Sequence, residues 1–242
     1  MCLLVCVRNA DGGLLVAANR DERYDRPSRR PFLWPTDPPV LAGRDERAGG
    51  TWLAVNACGL LAAVTNRPTA GGDDPTRPSR GELPLLACRC LSAADARAAL
   101  AERLADRRYN GFNLLVADAE AAFAIEAPGA APAFRDVPPG LHAVANGAWD
   151  DPADARVARA LELRKAGPPD ADSLAALCRD DRALPDGTSL CLHGPEAGTV
   201  SSTVLHVDSR RRLRLYLHAA GPPCRTDYLP LAGGPAGPAF AQ

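Results

Sequence analysis

The second residue of the chain is a cysteine, directly behind the initiator methionine. Removal of Met1, which is favoured when the next residue is small, would leave a thiol and a free α-amine on Cys2. A residue of this kind can use its own amine as the general base for its thiol. Ordinary pKa values of about 7.7–8.0 for the amine and about 8.5 for the thiol allow proton exchange near neutral pH. The position makes Cys2 a candidate nucleophile; the plainer interpretation is a small residue at the start of a strand.

A β-hairpin is predicted to position this cysteine. Two apolar runs, residues 3–7 and 14–18, flank the sequence Ala10-Asp11-Gly12-Gly13, and Asp-Gly is a strong signal for a two-residue hairpin turn. Such a turn would pair each residue with a partner so that their numbers sum to 23, which places Cys2 opposite Asp21.

That pairing gives the thiol a candidate partner. Directly opposed Cβ atoms lie about 4.5–5.5 Å apart, so the Asp21 carboxylate could orient the α-amine or hold its proton. Because side chains alternate between the two faces of a strand, Asn19 would lie on the same face as Asp21, and Arg20 would point to the other side. The alternative is that Asp21 and Glu22 are solvated charges that end an edge strand.

The remaining pattern predicts strand pairs alternating with helix pairs. Strands are expected at 51–57, 60–65, 112–117, 122–127, 141–145, 189–193, 199–207 and 213–218, and helices at 81–91, from Ser92, at 153–165 and at 173–182. Residues 25–50, rich in Pro, Arg and Gly, are predicted to form a long loop. This order favours one α+β domain over 1–242, with two antiparallel sheets covered by helices and a loose Pro/Gly-rich tail from about residue 221.

Composition excludes several function classes. The 28 basic and 29 acidic residues leave a formal net charge of −1, so no nucleic acid or anionic membrane is expected as a partner. No run reaches the roughly 20 apolar residues of a spanning helix, and no export signal is recognisable. We therefore expect a cytoplasmic protein without stable membrane insertion, whose eight cysteines are free thiols. Its oligomeric state is not indicated.

Motifs for cofactors and metals are weak. The chain has no Walker A motif, no dinucleotide-binding glycine pattern and no Gly-x-Ser-x-Gly elbow. Cys191-x-His193 could place two soft ligands on one face of a strand, but no second pair accompanies it, and the thiols of Cys88-x-Cys90 would diverge on a helix. No metal site and no required cofactor are predicted.

Several motifs resemble one known family. Asn19-Arg20-Asp21-Glu22 is the tetrapeptide that names the NRDE family (transport and Golgi organisation 2 homologues). The likeness extends in order over nearly the whole chain, to about residue 217. The other motifs are Met1-Cys2, Gly49-Gly50-Thr51-Trp52-Leu53, Thr65-Asn66, Arg80-Gly81-Glu82-Leu83, Tyr109-Asn110-Gly111-Phe112-Asn113-Leu114, Asn146-Gly147 and Ser202-Thr203-Val204.

The resemblance implies the fold of N-terminal-nucleophile (Ntn) hydrolases, an αββα sandwich. It also implies a likeness to choloylglycine hydrolases and penicillin V acylases, in which Cys2 would be the nucleophile and Asp21 the partner of its amine and thiol. Asn66 and Asn146 resemble the two asparagines that serve the oxyanion and position the nucleophile there. Ala18 departs from this pattern, because those enzymes carry arginine at that place, and Val200 stands where NRDE relatives commonly have arginine.

Two functions follow from the resemblance. The first is hydrolysis of a small-molecule amide or thioester through an acyl-enzyme on Cys2. Asn19, Arg20, Trp52 and Arg80 are its candidate binding residues; Trp52 is otherwise a core residue of its strand, and Arg80 part of an ion pair at a helix end. The second is non-catalytic binding and trafficking of haem, lipid or acyl-CoA, with haem as a ligand.

Overall fold

The computed structural model describes residues 2–129 and 131–231. Its first two strands, β1 (Cys2–Arg8) and β2 (Leu14–Arg23), form the predicted hairpin. The loop has three residues, however, because Gly12 donates to the Asn9 carbonyl and the Asn9 amide donates to the Gly13 carbonyl. Gly12 has a φ of +91°, as expected where a type I turn ends in a left-handed residue.

The extra loop residue shifts the predicted register by one. Cys2 lies opposite Arg20 and Leu3 lies opposite Asn19, so the predicted Cys2–Asp21 pairing is wrong. Because side chains alternate along a strand, this shift exchanges the two faces of β2. Cys2 shares its face with Arg20, whereas Asn19 and Asp21 point to the opposite side of the sheet.

Thirteen strands form two antiparallel sheets in the described part of the chain. The first sheet has the order β10-β1-β2-β11-β12-β13 and the second the order β3-β4-β5-β6-β7-β8-β9. The strands after β2 are β3 (Ser28–Trp34), β4 (Val40–Asp45), β5 (Leu53–Asn56), β6 (Leu61–Asn66), β7 (Phe112–Ala117), β8 (Ala122–Ala127), β9 (Ala133–Asp136), β10 (Gly140–Val144), β11 (Ala197–Val207), β12 (Leu213–Ala219) and β13 (Leu229–Pro230).

Four α-helices cover the sheets in the described residues. They are α1 (Glu82–Ala87), α2 (Ala93–Asp106), α3 (Ala155–Leu161), which continues into a 3-10 helix (Glu162–Ala166), and α4 (Ala171–Arg179). The predicted start at Ser92 is confirmed, since the Ser92 hydroxyl accepts a hydrogen bond from the Asp95 amide and so caps α2.

Three apolar clusters define the layers. The inner one joins the facing sides of both sheets, for example Leu4 and Val16 with Leu53 and Leu115. A second packs the outer face of the seven-stranded sheet against α1 and α2, and a third packs the outer face of the six-stranded sheet against α3 and α4. This is the predicted αββα sandwich, which is thereby confirmed.

Three local predictions differ from the structure. Residues 25–50 contain β3 and β4 rather than a continuous loop, and residues 189–193 contribute only a single bridge, between His193 and Gly198. Residues 221–231, predicted as part of a loose tail, include β13, which pairs with β12; the rest of that tail lies outside the described residues. None of the helices in the described part of the chain has the length and apolar character needed to span a bilayer.

Candidate functional site

A small cleft opens between the two sheets at the end where β1 begins. Its volume is about 90 Å³, which is room for a few water molecules or a short chemical group. Six of the eight residues predicted to bind or react line it, and the other lining residues come from strands and loops of both sheets. The lining residues are Cys2, Arg20, Asp21, Glu22, Arg26, Asp45, Thr51, Trp52, Val64, Asn66, Ser79, Arg80 and Gly81.

Cys2 is the only cysteine among these lining residues. It is partly buried. By the alternation of side chains along β1, it lies on the face that packs against the second sheet, together with Leu4 and Cys6. Burial raises the pKa of the Cys2 thiol, and the positive charge of Arg20 opposes that rise. A thiol in this environment is held neutral and needs a nearby base before it can act as a nucleophile.

Arg20 is the residue directly opposite Cys2 in the pairing of β1 with β2. Its side chain is 4% exposed, and its guanidinium carbon lies 4.5 Å from the centre of the Trp52 ring. Its polar contacts are long: 3.4 Å to Ser28 Oγ and 3.4 Å to Asp45 Oδ2. Long contacts leave part of the guanidinium's hydrogen-bonding capacity available to an anionic group in the cleft.

Asp45 is the anion that organises this side of the cleft. Arg26 Nε donates to Asp45 Oδ2 at 2.6 Å, and the amides of Arg47 and Ala48 donate to Asp45 Oδ1. Burial of the carboxylate opposes ionisation, but the Ala48 amide and the Arg26 guanidinium prevail and lower the pKa of Asp45. Asp45 therefore holds Arg26 more tightly than it holds Arg20.

Trp52 and Arg80 reach the cleft because two loops meet. The Thr51 amide donates to the Gly81 carbonyl at 2.9 Å, and a Cβ on Gly50 would lie 2.5 Å from the Gly81 carbonyl carbon. Only glycine fits at position 50 without moving one of the loops. The Gly-Gly-Thr-Trp and Arg-Gly motifs quoted from the sequence thus form one structural unit.

Arg80 makes close contacts of its own. It donates from two nitrogens to both oxygens of Asp73, at 3.2 and 2.7 Å, and to the Gly111 carbonyl at 3.0 Å. Much of its donor capacity is therefore satisfied within the protein. Its location in the cleft wall is compatible with either predicted role, a substrate contact or an ion pair near the start of α1.

The two predicted asparagines lie next to each other but face different partners. Asn66 ends β6 and lines the cleft, and its side-chain amide makes no hydrogen bond to the residues that the structure describes. Asn146 Nδ2 donates to the Asn66 main-chain carbonyl at 2.8 Å. Asn146 therefore holds the end of β6 where Asn66 borders the cleft.

Asn19 and Asp21 are buried on the helix side of the sheet. Asn19 Nδ2 donates to the carbonyls of Cys178 and Leu190, both at 2.9 Å. Arg156 Nη2 donates to Asp21 Oδ2 at 2.8 Å, and the Thr199 hydroxyl donates to Asp21 Oδ1 at 2.6 Å. Burial raises the pKa of Asp21, and Arg156 and Thr199 oppose that rise.

Sequence reasoning misses several of these residues. Arg26 and Asp45 lie in the segment predicted as a loop, where the Arg- and Asp-rich composition is the available signal. Arg156 and Thr199 contact Asp21 across more than a hundred residues of sequence, and no local pattern indicates such contacts. Outside the cleft, Cys224 joins the Cys191-x-His193 motif, for which the sequence indicates no further ligand.

Structural comparison finds hydrolases with the same architecture. A Caenorhabditis elegans N-acylethanolamine-hydrolyzing acid amidase orthologue aligns with a TM-score of 0.58 and 15% identity over 84% of this chain and 92% of its own. A conjugated bile acid hydrolase from Clostridium perfringens gives 0.53 and 11% over 96% and 92%. Identities this low establish the Ntn-hydrolase-like fold alone.

Sequence comparison identifies the family. The family model described as Transport and Golgi organisation 2 matches residues 1–218. The Bos taurus Transport and Golgi organization protein 2 homolog is 32% identical, over 81% of this chain and 82% of its own. A Mus musculus homologue is 38% identical over 43% of this chain and 38% of its own. The chain belongs to the Transport and Golgi organisation 2 family.

Proposed function

We propose that the protein hydrolyses a small amide or thioester, with Cys2 as the nucleophile. The observation that carries the proposal is the cleft itself, whose lining includes Cys2 with its partly buried thiol, Asn66 and Arg20. A nucleophile, an uncharged hydrogen-bond donor and a fixed cation are groups that support acyl transfer. The steps below use only groups of this chain, the substrate and water.

The reaction begins after Met1 has been removed. The new α-amine of Cys2 takes the thiol proton, and the sulfur attacks the substrate carbonyl to give a tetrahedral intermediate. The intermediate collapses to an acyl-enzyme as the ammonium returns its proton to the departing amine or thiol. Water then attacks the thioester, the carboxylic acid leaves, and the Cys2 thiol is restored.

Two neighbours support these steps. The Asn66 amide donates to the oxyanion of the intermediate, a contact worth about 3 kcal/mol in the transition state. The Asp21 carboxylate, held by Arg156 and Thr199, supplies a negative charge that stabilises the ammonium formed when the amine takes the thiol proton. The same charge raises the pKa of the Cys2 thiol, so Asp21 supports the reaction through the amine and not by favouring the thiolate.

The cleft also restricts the substrate. A volume of about 90 Å³ is well below the roughly 300–1,000 Å³ of sites that enclose drug-sized ligands. Only the acyl end of a substrate fits, and the rest must extend into solvent. Arg20, with its long contacts, favours a substrate that carries a carboxylate or phosphate close to the scissile bond.

The experiment begins with the mature full-length chain. Its intact mass reports whether Met1 is present, and incubation with a panel of N-acyl amides and short acyl thioesters reports both hydrolysis and any acyl adduct. We expect a Met-free chain that accumulates an acyl group on Cys2. Cys2→Ala should lower hydrolysis at least about 1,000-fold, because removal of a nucleophile leaves only binding and oxyanion contributions.

A matched control is Cys58→Ser, which changes a partly buried cysteine in the β5–β6 turn and should leave the rate unchanged. The proposal is wrong if Met1 is retained in the active protein, or if Cys2→Ala hydrolyses the substrates as fast as wild type.

We propose binding of haem or acyl-CoA as a second candidate, favoured by a different part of the surface. A groove of about 440 Å³ combines three arginines, at positions 77, 107 and 108, with apolar side chains that include Leu104 and Phe112. This volume lies in the ordinary range for ligand pockets, and the arginines match propionate or phosphate groups.

Haem titration by absorbance separates the two candidates. Tight haem binding that is lost in Arg108→Glu and kept in Cys2→Ala would support the groove as the main site. Absence of binding at micromolar haem would exclude haem as its ligand. Neither result depends on whether Cys2 is catalytic.

A further inference from the structure

A second cluster of reactive side chains lies on the helix side of the six-stranded sheet. It consists of Cys191 and His193, in the segment before β11, and Cys224, in the segment after β12. Cys224 Sγ lies 3.4 Å from Cys191 Sγ and 3.1 Å from His193 Nε2, and Cys191 Sγ lies 3.9 Å from His193 Nε2. Within the described residues no other trio of His, Cys, Asp or Glu side chains converges in this way.

These spacings match one face of a zinc coordination tetrahedron. Zinc binds sulfur at about 2.3 Å and imidazole nitrogen at about 2.0–2.1 Å, so adjacent ligands of an ideal site lie about 3.6–3.8 Å apart. The three edges are close to these values, so an ion placed just above the triangle reaches all three atoms at bonding distance. Without an ion, the same atoms can form only weak hydrogen bonds, because thiols are poor donors and poor acceptors.

Charge and burial also fit zinc. Cys191 is fully buried, Cys224 is partly buried and His193 is exposed. Two thiolates and a neutral imidazole bring zinc to zero net charge, which a partly buried site tolerates. The exposed His193 side leaves the fourth position open to water, as in zinc sites with two cysteines and one histidine.

We propose that Cys191, His193 and Cys224 bind one zinc ion, which clamps the segment around Cys224 to the segment that precedes β11. The first segment also contacts the end of α4, since Arg179 Nε donates to the Pro223 carbonyl at 3.2 Å. The second is held by the Leu192 amide, which donates to the Thr199 hydroxyl at 2.8 Å. The clamp therefore closes on two segments that are already anchored.

The clamp is connected to the buried side of β2. The Thr199 hydroxyl accepts from the Leu192 amide and donates its own hydrogen to Asp21. The carbonyl of Leu190, next to Cys191, accepts hydrogen bonds from both Asn19 and Arg156. Zinc binding should therefore stabilise the residues that hold the end of β2 as well as the clamped segments.

The test uses the reduced, full-length protein. Metal analysis after dialysis against zinc should give one zinc per chain, and cobalt in its place should show the near-ultraviolet absorption of cobalt bound to thiolate. Cys224→Ser should weaken zinc binding by at least about 100-fold, because even residues that only support a ligand matter by 10–100-fold. Zinc should raise the Tm of wild type but not that of Cys224→Ser.

Cys58→Ser is again the control and should bind zinc like wild type. Two results would overturn the proposal. One is reduced protein that binds no zinc, or a Cys224→Ser variant that binds zinc as tightly as wild type. The other is a native chain that lacks two hydrogen atoms by intact mass because Cys191 and Cys224 form a disulfide, which would make the pair a covalent link instead.

Discussion

The two faces of β2 differ sharply at its end, within four consecutive residues. Arg20 and Glu22 face the cleft, where the contacts of Arg20 are 3.4 Å or longer. Asn19 and Asp21 face the helices, where every contact described above is shorter than 3.0 Å. Because side chains alternate along a strand, the family tetrapeptide places Arg20 and Glu22 in the cleft and Asn19 and Asp21 against the helices.

The helix side of β2 holds the strand in place, whereas the cleft side faces the thiol. Short, buried contacts on the helix side fix the position of the strand end, because an unpaired polar group there costs free energy. Looser contacts on the cleft side leave a cation able to exchange a protein partner for a substrate. Changes on the helix side should act on stability first, and changes on the cleft side should act on the thiol first.

The largest effect is expected from Asp21→Ala. The change leaves the Arg156 guanidinium, 4% exposed, without its anion, and breaking a buried pair costs about 3–5 kcal/mol. Urea denaturation should show this as a lower midpoint with an unchanged slope.

Two further variants serve as controls for Asp21→Ala. Asp25→Ala removes an exposed partner of Arg23 and should barely move the urea midpoint, because ion pairs in solvent contribute little. Asp21→Ala combined with Arg156→Met should recover most of the loss, since it removes both charges. An Asp21→Ala protein as stable as wild type would refute the supporting role of the helix side.

Arg20→Gln should have a smaller effect on stability, about 1–2 kcal/mol from the lost Trp52 and Asp45 contacts. Its main effect should be on Cys2, because Arg20 lowers the pKa of that thiol. The pH profile of Cys2 alkylation, followed by mass, should therefore shift to higher pH. Arg44→Gln changes an exposed side chain and is the control, whose pH profile should match that of wild type. If Arg20→Gln changes the amplitude of the profile but not its midpoint, Arg20 affects the access of the alkylating reagent to Cys2 and not the pKa of the thiol.

The smallest effect is expected from Asp45→Asn and depends on pH. Interactions in the folded state lower the pKa of Asp45, so its stabilising contribution is present above the unfolded value of about 3.9 and is lost as pH falls through the lower, folded value. Near neutral pH the variant should be about 1 kcal/mol less stable. As the pH falls through the lowered pKa of the folded state, the urea midpoints of variant and wild type should converge. A gap that does not narrow as the pH is lowered would contradict the assignment.

Much of the fold follows from local patterns. Strands β7 and β8 have the predicted bounds because apolar runs between turn residues indicate buried strands directly. Strand β3 escapes prediction because it is an edge strand that contains Pro31 and an irregular register after Arg29, and edge strands tolerate proline that central ones do not. Its composition alone therefore resembles a loop.

The site is less accessible to sequence reasoning. The motifs identify many of the lining residues, but the register error places Asp21, rather than Arg20, beside Cys2. A loop of two residues and a loop of three residues give the same Asp-Gly signal, and only the left-handed Gly12 with its closing hydrogen bonds distinguishes them. The cluster of proposed zinc ligands is not apparent because Cys224 lies 33 residues from Cys191, and no local period links them.

The turn of the first hairpin determines which charge faces the thiol. It lies at the far end of β1, about 20 Å from Cys2, and its hydrogen bonds pair Asn9 with Gly13. If Ala10 paired with Gly13 instead, every residue of β2 would slip by one position relative to β1 and the two faces of β2 would be exchanged. The Arg20 side chain would then lie among the helices and the Asp21 side chain in the cleft, so a contact seven residues away from Cys2 selects the charge beside its sulfur.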